Sequence, residues 1–156
     1  MRKFDKQDRT ILELLQRDAT LSVADIAEQI FTSKSACWRR IQKLQDEGVI
    51  THKVTLLDQK KINLPLTGYI VVRTNQHNDI WAKKFKDVLE SIPEVLEVYR
   101  MSGDVDYLVK AVMTDMDGYD RLYKKILKVD LFDVSCSFVM ETIKHTTEMP
   151  LRYLNL

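Results

Sequence analysis

The stretch SVADIAEQIFTSKSACWRRIQKL, Ser22 to Leu44, decides how the first third of the chain folds. Ser22 is placed to cap a helix, and Asp25, three residues on, gives a weaker form of the capping box. Leu21 and Ile26 take the N′ and N4 positions of a hydrophobic staple across that start. The helix so begun is short and closes near Ile30. Phe31-Thr32 is a tight connection, and Ser33 caps another helix at once. In this next helix Cys37, Ile41 and Leu44 recur at i, i+4 and i+7, one buried stripe. The stripe leaves Lys34, Ser35, Trp38, Arg39 and Gln42 on the outward side. Gly48, just past Asp46-Glu47, suits the left-handed residue that ends a helix.

Working outward, Asp5 can cap a preceding helix over residues 6–17, where Ile11, Leu12, Leu14 and Leu15 crowd one side. Three helices with so short a link between the second and third have the helix-turn-helix arrangement. A plain three-helix bundle shares the pattern. The outward face of the third helix separates the two, because its groups can meet phosphates or base edges. From Thr32 to Lys53 five basic residues stand against two acidic ones. Residues Val49 to Leu56 read as β structure, a small wing or a hairpin.

Residues 58–66 have the composition of a linker, polar first and then carrying Pro65. Beyond it the spacing predicts a strand over 67–74 and a helix carrying Trp81, Phe85, Val88, Leu89 and Ile92, capped by Asn78 or Asp79. Strands follow over 95–101 and 105–113, joined by the turn residues Ser102-Gly103. A helix then carries Tyr119, Leu122, Tyr123, Ile126 and Leu127, capped by Asp115 or Asp117. The last strand spans 134–141. The order βαββαβ is that of a ferredoxin-like plait. The expected class is α+β, with a helix-turn-helix domain over 1–57, a linker over 58–66 and the plait over 67–156.

Composition bounds what such a chain does. A charged fraction of 30% with 45% hydrophobic residues fits an ordered domain or two rather than a disordered chain. The net charge of +1 is neutral on nucleic acid, so the local basic cluster has to carry that inference. Cys37 and Cys136 are far apart and form no CxxC, which argues against a zinc knuckle or a redox pair. The charged start, Met1-Arg2-Lys3, is unlike a secretory leader, and the apolar runs are too short for a membrane span. A reducing cytoplasm is expected, with no membrane partner. No GxSxG, GxGxxG, P-loop or HExxH pattern is present, and His52, His77 and His145 are scattered. No enzyme, catalytic residue, metal site or cofactor is expected. Cys37 lies on a packing stripe and reads as core rather than as a nucleophile. RNA recognition by the plait would need a basic, aromatic strand, whereas residues 101–107 are acidic.

At this point the chain resembles a family. The signatures are Phe4-Asp5-x-x-Asp8-x-x-Ile11-Leu12, Leu21-Ser22-x-x-x-Ile26-Ala27, Cys37-Trp38-Arg39-Arg40-Ile41-x-x-Leu44-x-x-x-Gly48-Val49-Ile50, and Gly103-Asp104-Val105-Asp106-Tyr107-Leu108 followed by Tyr119-Asp120. In this order and spacing they are similar to the leucine-responsive regulator/AsnC family of prokaryotic transcription factors. The resemblance covers essentially the whole chain. One departure stands out. Members often place Gly or Asn before the third helix, where this chain has Phe31. A left-handed turn there costs Phe on the order of 1 kcal/mol, and packing of Phe31 against the wing is the alternative.

The residues expected to meet double-stranded DNA are Ser33, Lys34, Ser35, Trp38, Arg39, Arg40, Gln42 and Lys43. Arg39 is placed for a base. Arg40, 100 degrees further round the helix, meets a phosphate or an internal acid such as Asp8 or Asp18. Trp38 fits either DNA or packing. A dimer on a near-palindromic operator is expected, because one such domain offers few contacts. The resemblance implies further assembly to octamers. It also implies an amino-acid effector bound between plait domains by Met101, Gly103, Asp104, Asp106, Asp120, Ser135 and Ser137. The alternative is an amino-acid-binding or assembly module that acts without specific DNA recognition.

Overall fold

Three short helices share one apolar core. The computed structural model describes residues 3–155; Met1, Arg2 and Leu156, which bound the two expected domains and open the charged start, lie outside the described residues. The helix α1 runs from Lys6 to Arg17, α2 from Val23 to Gln29 and α3 from Lys34 to Asp46. Asp5 and Asp8 form a full capping box at the start of α1, as Ser22 and Asp25 do for α2. The Ser33 hydroxyl accepts from the Ala36 N–H to cap α3. Helices of this length are marginal alone in water. They are held by the buried cluster of Ile11, Leu12, Ile26, Ala27, Ile30, Cys37, Ile41 and Leu44. Burial raises the pKa of the Cys37 thiol, in keeping with a core role.

The expected wing is not formed as a strand among the described residues. Gly48 adopts the left-handed conformation, at φ 70°, and the N–H groups of Val49 and Ile50 return to the Leu44 carbonyl. They close the end of α3 rather than starting a hairpin. Residues 51–57 continue exposed and without ladder partners. A strand needs a neighbour for its N–H and C=O groups, and the described residues supply none there.

The helical unit also takes in the far end of the chain. Residues from Lys144 onward group with residues up to Thr55, not with the plait. Leu151 and Leu154 pack at the edge of the helical core around a single 3-10 turn, Leu151–Tyr153. The Phe4 N–H donates to the Asn155 carbonyl at 2.9 Å, and the Gln16 side-chain amide bonds both backbone groups of Met149. The expectation of a plait running to residue 156 therefore needs correction over its last segment. Two leucines spaced i, i+3 after the final strand find their apolar partners on the helices.

The second unit, residues 56–143, is the plait. Its leading segment is a folded turn rather than a loose linker. The Leu64 N–H donates to the Gln59 carbonyl at 2.8 Å, and Asn63 takes the left-handed conformation, at φ 63°. The elements are β1 Leu66–Arg73, α4 Asp79–Glu90, β2 Val95–Arg100, β3 Tyr107–Met113, α5 Met116–Ile126 and β4 Asp133–Phe138. Asn78 and Asp115 are the two helix caps. The four strands pair antiparallel in the order β2-β3-β1-β4. Both helices cover one face, where Ile70, Val72, Val109, Ala111 and Met113 meet Trp81, Phe85, Leu89, Leu122 and Ile126. Cys136 points to this side with Val134 and Phe138, and burial raises its pKa. Gly68 lets the strand pass close beneath the helices: a Cβ there would lie 3.0 Å from the Cys136 sulfur, so the neighbouring side chains would have to give. Among the described residues no helix is long and apolar enough to cross a membrane.

Candidate functional site

The third helix divides its side chains as the periodicity predicts. Cys37, Ile41 and Leu44 face the core, while Lys34, Ser35, Trp38, Arg39 and Lys43 are exposed. Trp38 is 53% exposed, which puts it on the outward face. Gln42 is half-buried and donates to the Gln45 side chain at 2.9 Å. The Ser33 hydroxyl is engaged in the cap and lies 3.2 Å from the Ser35 hydroxyl. With no acid in its first turn, α3 presents free N–H groups and a partial positive charge at its start.

Arg40 departs from this group. Its Nη1 donates to Asp5 Oδ2 at 2.7 Å and to Asp8 Oδ1 at 2.9 Å. Of the two acids weighed from sequence, Asp8 is a partner; Asp18 instead accepts from the hydroxyl and N–H of Thr20. Burial works to lower the Arg40 pKa, but the hydrogen bonds and charges of Asp5 and Asp8 outweigh it and hold the group above its ordinary value. Arg40 fixes α3 against the start of α1.

Phe31 takes the left-handed conformation the short turn demands, at φ 53°, and its side chain is 93% exposed. The alternative of packing against a wing is therefore overturned. The Thr32 N–H returns to the Ala27 carbonyl, so the turn is set by the closing bonds of α2.

In the plait, the expected effector residues fall into three groups. The hairpin Met101–Asp106 is tied to the sheet. The Met101 N–H donates to the Asp106 carbonyl at 2.8 Å, and Asp106 Oδ2 accepts from the Thr74 N–H at 2.8 Å. Arg73 donates through Nε to the Asp104 carbonyl and through Nη1 to Asp133, each at 2.9 Å. Gly103, at φ 102°, makes the sharp reversal that this hairpin needs. The Asp104 side chain and Met101 stay exposed.

Ser135 and Ser137 lie on β4 opposite Val71 and Tyr69, on the sheet face that α4 and α5 leave open. Asp120 sits on α5, paired with Lys124, on the covered side. Within one chain the structure thus brings the hairpin to the Arg73–Asp133 end of the sheet. It does not bring Asp120 and the two serines to one site.

Sequence reasoning missed Arg73, Thr74 and Asp133, which fasten the hairpin. It also missed a polar recess lined by Thr74, Gln76, His77, Asn78, Arg100 and Asp106, among others. No short-range pattern marks the fastening residues, because Arg73 and Thr74 reach partners 31 and 32 positions on and Asp133 pairs with Arg73 across 60 positions. The open face carries Tyr69, Val71, Tyr99 and Leu108, with Lys110 bonded to Glu97 at 2.7 Å. That bond, with the one from the Tyr99 hydroxyl, lowers the Glu97 pKa.

Comparison with known proteins follows these two halves. Residues 4–51 match the family model for a winged helix-turn-helix DNA-binding domain, and residues 67–149 match the Lrp/AsnC ligand binding domain. The glutamate uptake regulatory protein of Zymomonas mobilis is 46% identical over 152 residues, 97% of this chain and 93% of that protein. The crystal structure of an AsnC family transcriptional regulator from Agrobacterium tumefaciens superposes with a TM-score of 0.91 at 49% identity. It covers 97% of this chain and 99% of the other. The L-Met complex of a transcriptional regulator from Neisseria meningitidis also gives 0.91, at 32% identity and the same coverage.

Proposed function

The chain belongs to the Lrp/AsnC family of DNA-binding transcriptional regulators, not to a family of enzymes, and from that premise we propose that α3 reads the major groove while the plait holds an amino acid that tunes the reading. One observation carries the DNA half. Lys34, Ser35, Trp38 and Arg39 share an exposed face of a capped helix, and Lys34 and Arg39 have no partner among the described residues. Arg39 is the base-reading residue, through a bidentate bond to guanine. Lys43 meets a phosphate. Two copies pair through the open sheet face, whose Tyr69, Val71, Tyr99 and Leu108 offer an apolar surface. The pair sits on a near-palindromic operator, and dimers assemble further. A cytoplasmic location is consistent with DNA as the partner.

The effector is a free amino acid. The exposed Asp104 carboxylate suits an α-ammonium, and backbone N–H groups of the hairpin suit an α-carboxylate. The Neisseria relative in complex with L-Met supports this choice of ligand class. Asp120 and the two serines lie on opposite sides of one sheet, which supports a site completed by residues of a second chain. The test is a gel shift of the full-length protein on a duplex selected from a random pool, with each amino acid in turn. Binding or complex size should change with at least one of them. Selected binding indifferent to all of them would leave a regulator without an amino-acid effector. Failure to select any sequence would favour an assembly module instead.

A further inference from the structure

Phe31 is unexplained by folding. Its φ of 53° is a conformation that a side chain's Cβ disfavours, most of all in a bulky residue. An aromatic ring is usually tolerated in such a place because it fills a pocket, yet this one is 93% exposed. Glycine or asparagine would make the same turn with less strain. The closing bonds of α2, Phe31 N–H to the Glu28 carbonyl and Thr32 N–H to that of Ala27, fix where the residue stands. It stands two positions before the Ser33 cap, at the end of α3 that carries Lys34 and Ser35. Trp38, also exposed, follows about one turn into the helix.

In helix-turn-helix docking, the N-terminal residues of the second helix approach the base edges. The major-groove edge offers one apolar group, the C5-methyl of thymine. We propose that Phe31 is a specificity-determining DNA contact, its ring packing on a thymine methyl beside the polar contacts made by α3. The turn accepts a strained conformation in order to hold an apolar group at the groove. This rests on α3 being the reading helix.

The experiment compares full-length wild type, Phe31→Asn and Arg39→Ala on a duplex selected from a random pool by the wild type. Asparagine tolerates the left-handed turn, so the melting temperature of Phe31→Asn should equal or exceed that of wild type. Its affinity should fall roughly tenfold, the scale of burying part of an aromatic ring. The dependence of log affinity on log salt should keep its slope, because no charge is lost. The duplex is also made with deoxyuridine at each thymine in turn, which removes the methyl alone. Wild type should lose affinity at one or two positions where Phe31→Asn loses none further. Wild-type affinity in Phe31→Asn, or indifference of the wild type to deoxyuridine everywhere, overturns the proposal. If Arg39→Ala alone loses binding, only the role of Phe31 fails. If neither variant loses binding, the assignment of α3 fails as well.

Discussion

Arg40 and Asp8 are 32 residues apart in sequence and joined at 2.9 Å through Nη1 and Oδ1. The same nitrogen reaches Asp5, the residue that caps α1. One guanidinium therefore connects the capping box of the first helix to the middle of the third. Asp8 is buried, with its side chain 5% exposed, and Arg40 is about one-third exposed. Arg40 thus sets the angle at which α3 is offered, although it stands directly beside the exposed Arg39.

Removing that connection should cost folding rather than DNA contacts. Arg40→Ala is expected to destabilise the helical unit by about 2 kcal/mol, the scale of losing hydrogen bonds to a charged group. Chemical denaturation followed by circular dichroism measures this. At temperatures where the variant is folded, the salt slope of DNA binding should match the wild type. A slope smaller by one would make Arg40 a phosphate contact after all.

The contact of Arg40 with Asp5 gives a pH dependence with a defined sign. Burial pushes the Asp5 carboxyl up, but the Asp8 N–H and Arg40 outweigh it and hold it below the ordinary value. A carboxyl lowered in the folded state stabilises fully above its unfolded pKa of about 3.9. That contribution is lost as pH falls through the lower, folded value. Asp5→Asn keeps a good cap and removes the charge. The wild type should exceed it in stability by a constant margin from neutral pH to about 5, and the margin should shrink below about 4. Urea titrations at several pH values would show this, and a margin that grows in acid would contradict it.

Two neighbours on the outward face should fail in different ways. Arg39→Ala is expected to lose about tenfold or more in preference for the selected sequence over a scrambled one, the scale of one bidentate base contact. Lys43→Ala should weaken both duplexes alike and lower the salt slope by about one. The Lys43–Glu47 separation of 3.9 Å leaves the lysine free to turn to a phosphate. Equal behaviour of the two variants would remove the distinction between base and backbone contacts.

In the plait, Asp106→Asn isolates charge from structure. Its amide oxygen can still accept from the Thr74 N–H, so the hairpin should stay in place and the melting temperature nearly unchanged. A thermal shift produced by an amino acid should shrink in this variant and in Asp104→Ala. Retention of the full shift in both would move the effector away from the hairpin.

The legible parts of this chain were those written in local chemistry. Asp5, Ser22 and Ser33 cap the helices their positions predict, and of the paired candidates Asn78 or Asp79 and Asp115 or Asp117 the first of each is the cap. The i, i+4, i+7 stripe of Cys37, Ile41 and Leu44 is buried, and Ser135 and Ser137 share one face as a period of two requires. Less legible were residues whose role depends on a distant partner. Arg40 could be narrowed to a phosphate or an internal acid, and only geometry supplied Asp5. Leu151 and Leu154 gave too short a pattern to reveal that they close the helical core. β propensity over 49–56 says nothing of whether a pairing strand exists, and no strand forms there among the described residues. The left-handed strain expected at Phe31 is present, while the alternative, packing of its ring against a wing, is not.

The return of residues 144–155 to the helical unit means that the polypeptide passes between its halves twice, near residue 55 and again near residue 143. A protease that nicks the exposed 51–57 segment once therefore leaves only residues 144–155 of the helical unit covalently joined to the plait, with α1–α3 held to that segment by non-covalent contacts. Such a nicked protein would run as two fragments on a denaturing gel and as one particle on a sizing column. Releasing the DNA-reading half takes two cuts, and the piece released consists of two peptides held together by leucine side chains and the Phe4–Asn155 hydrogen bond.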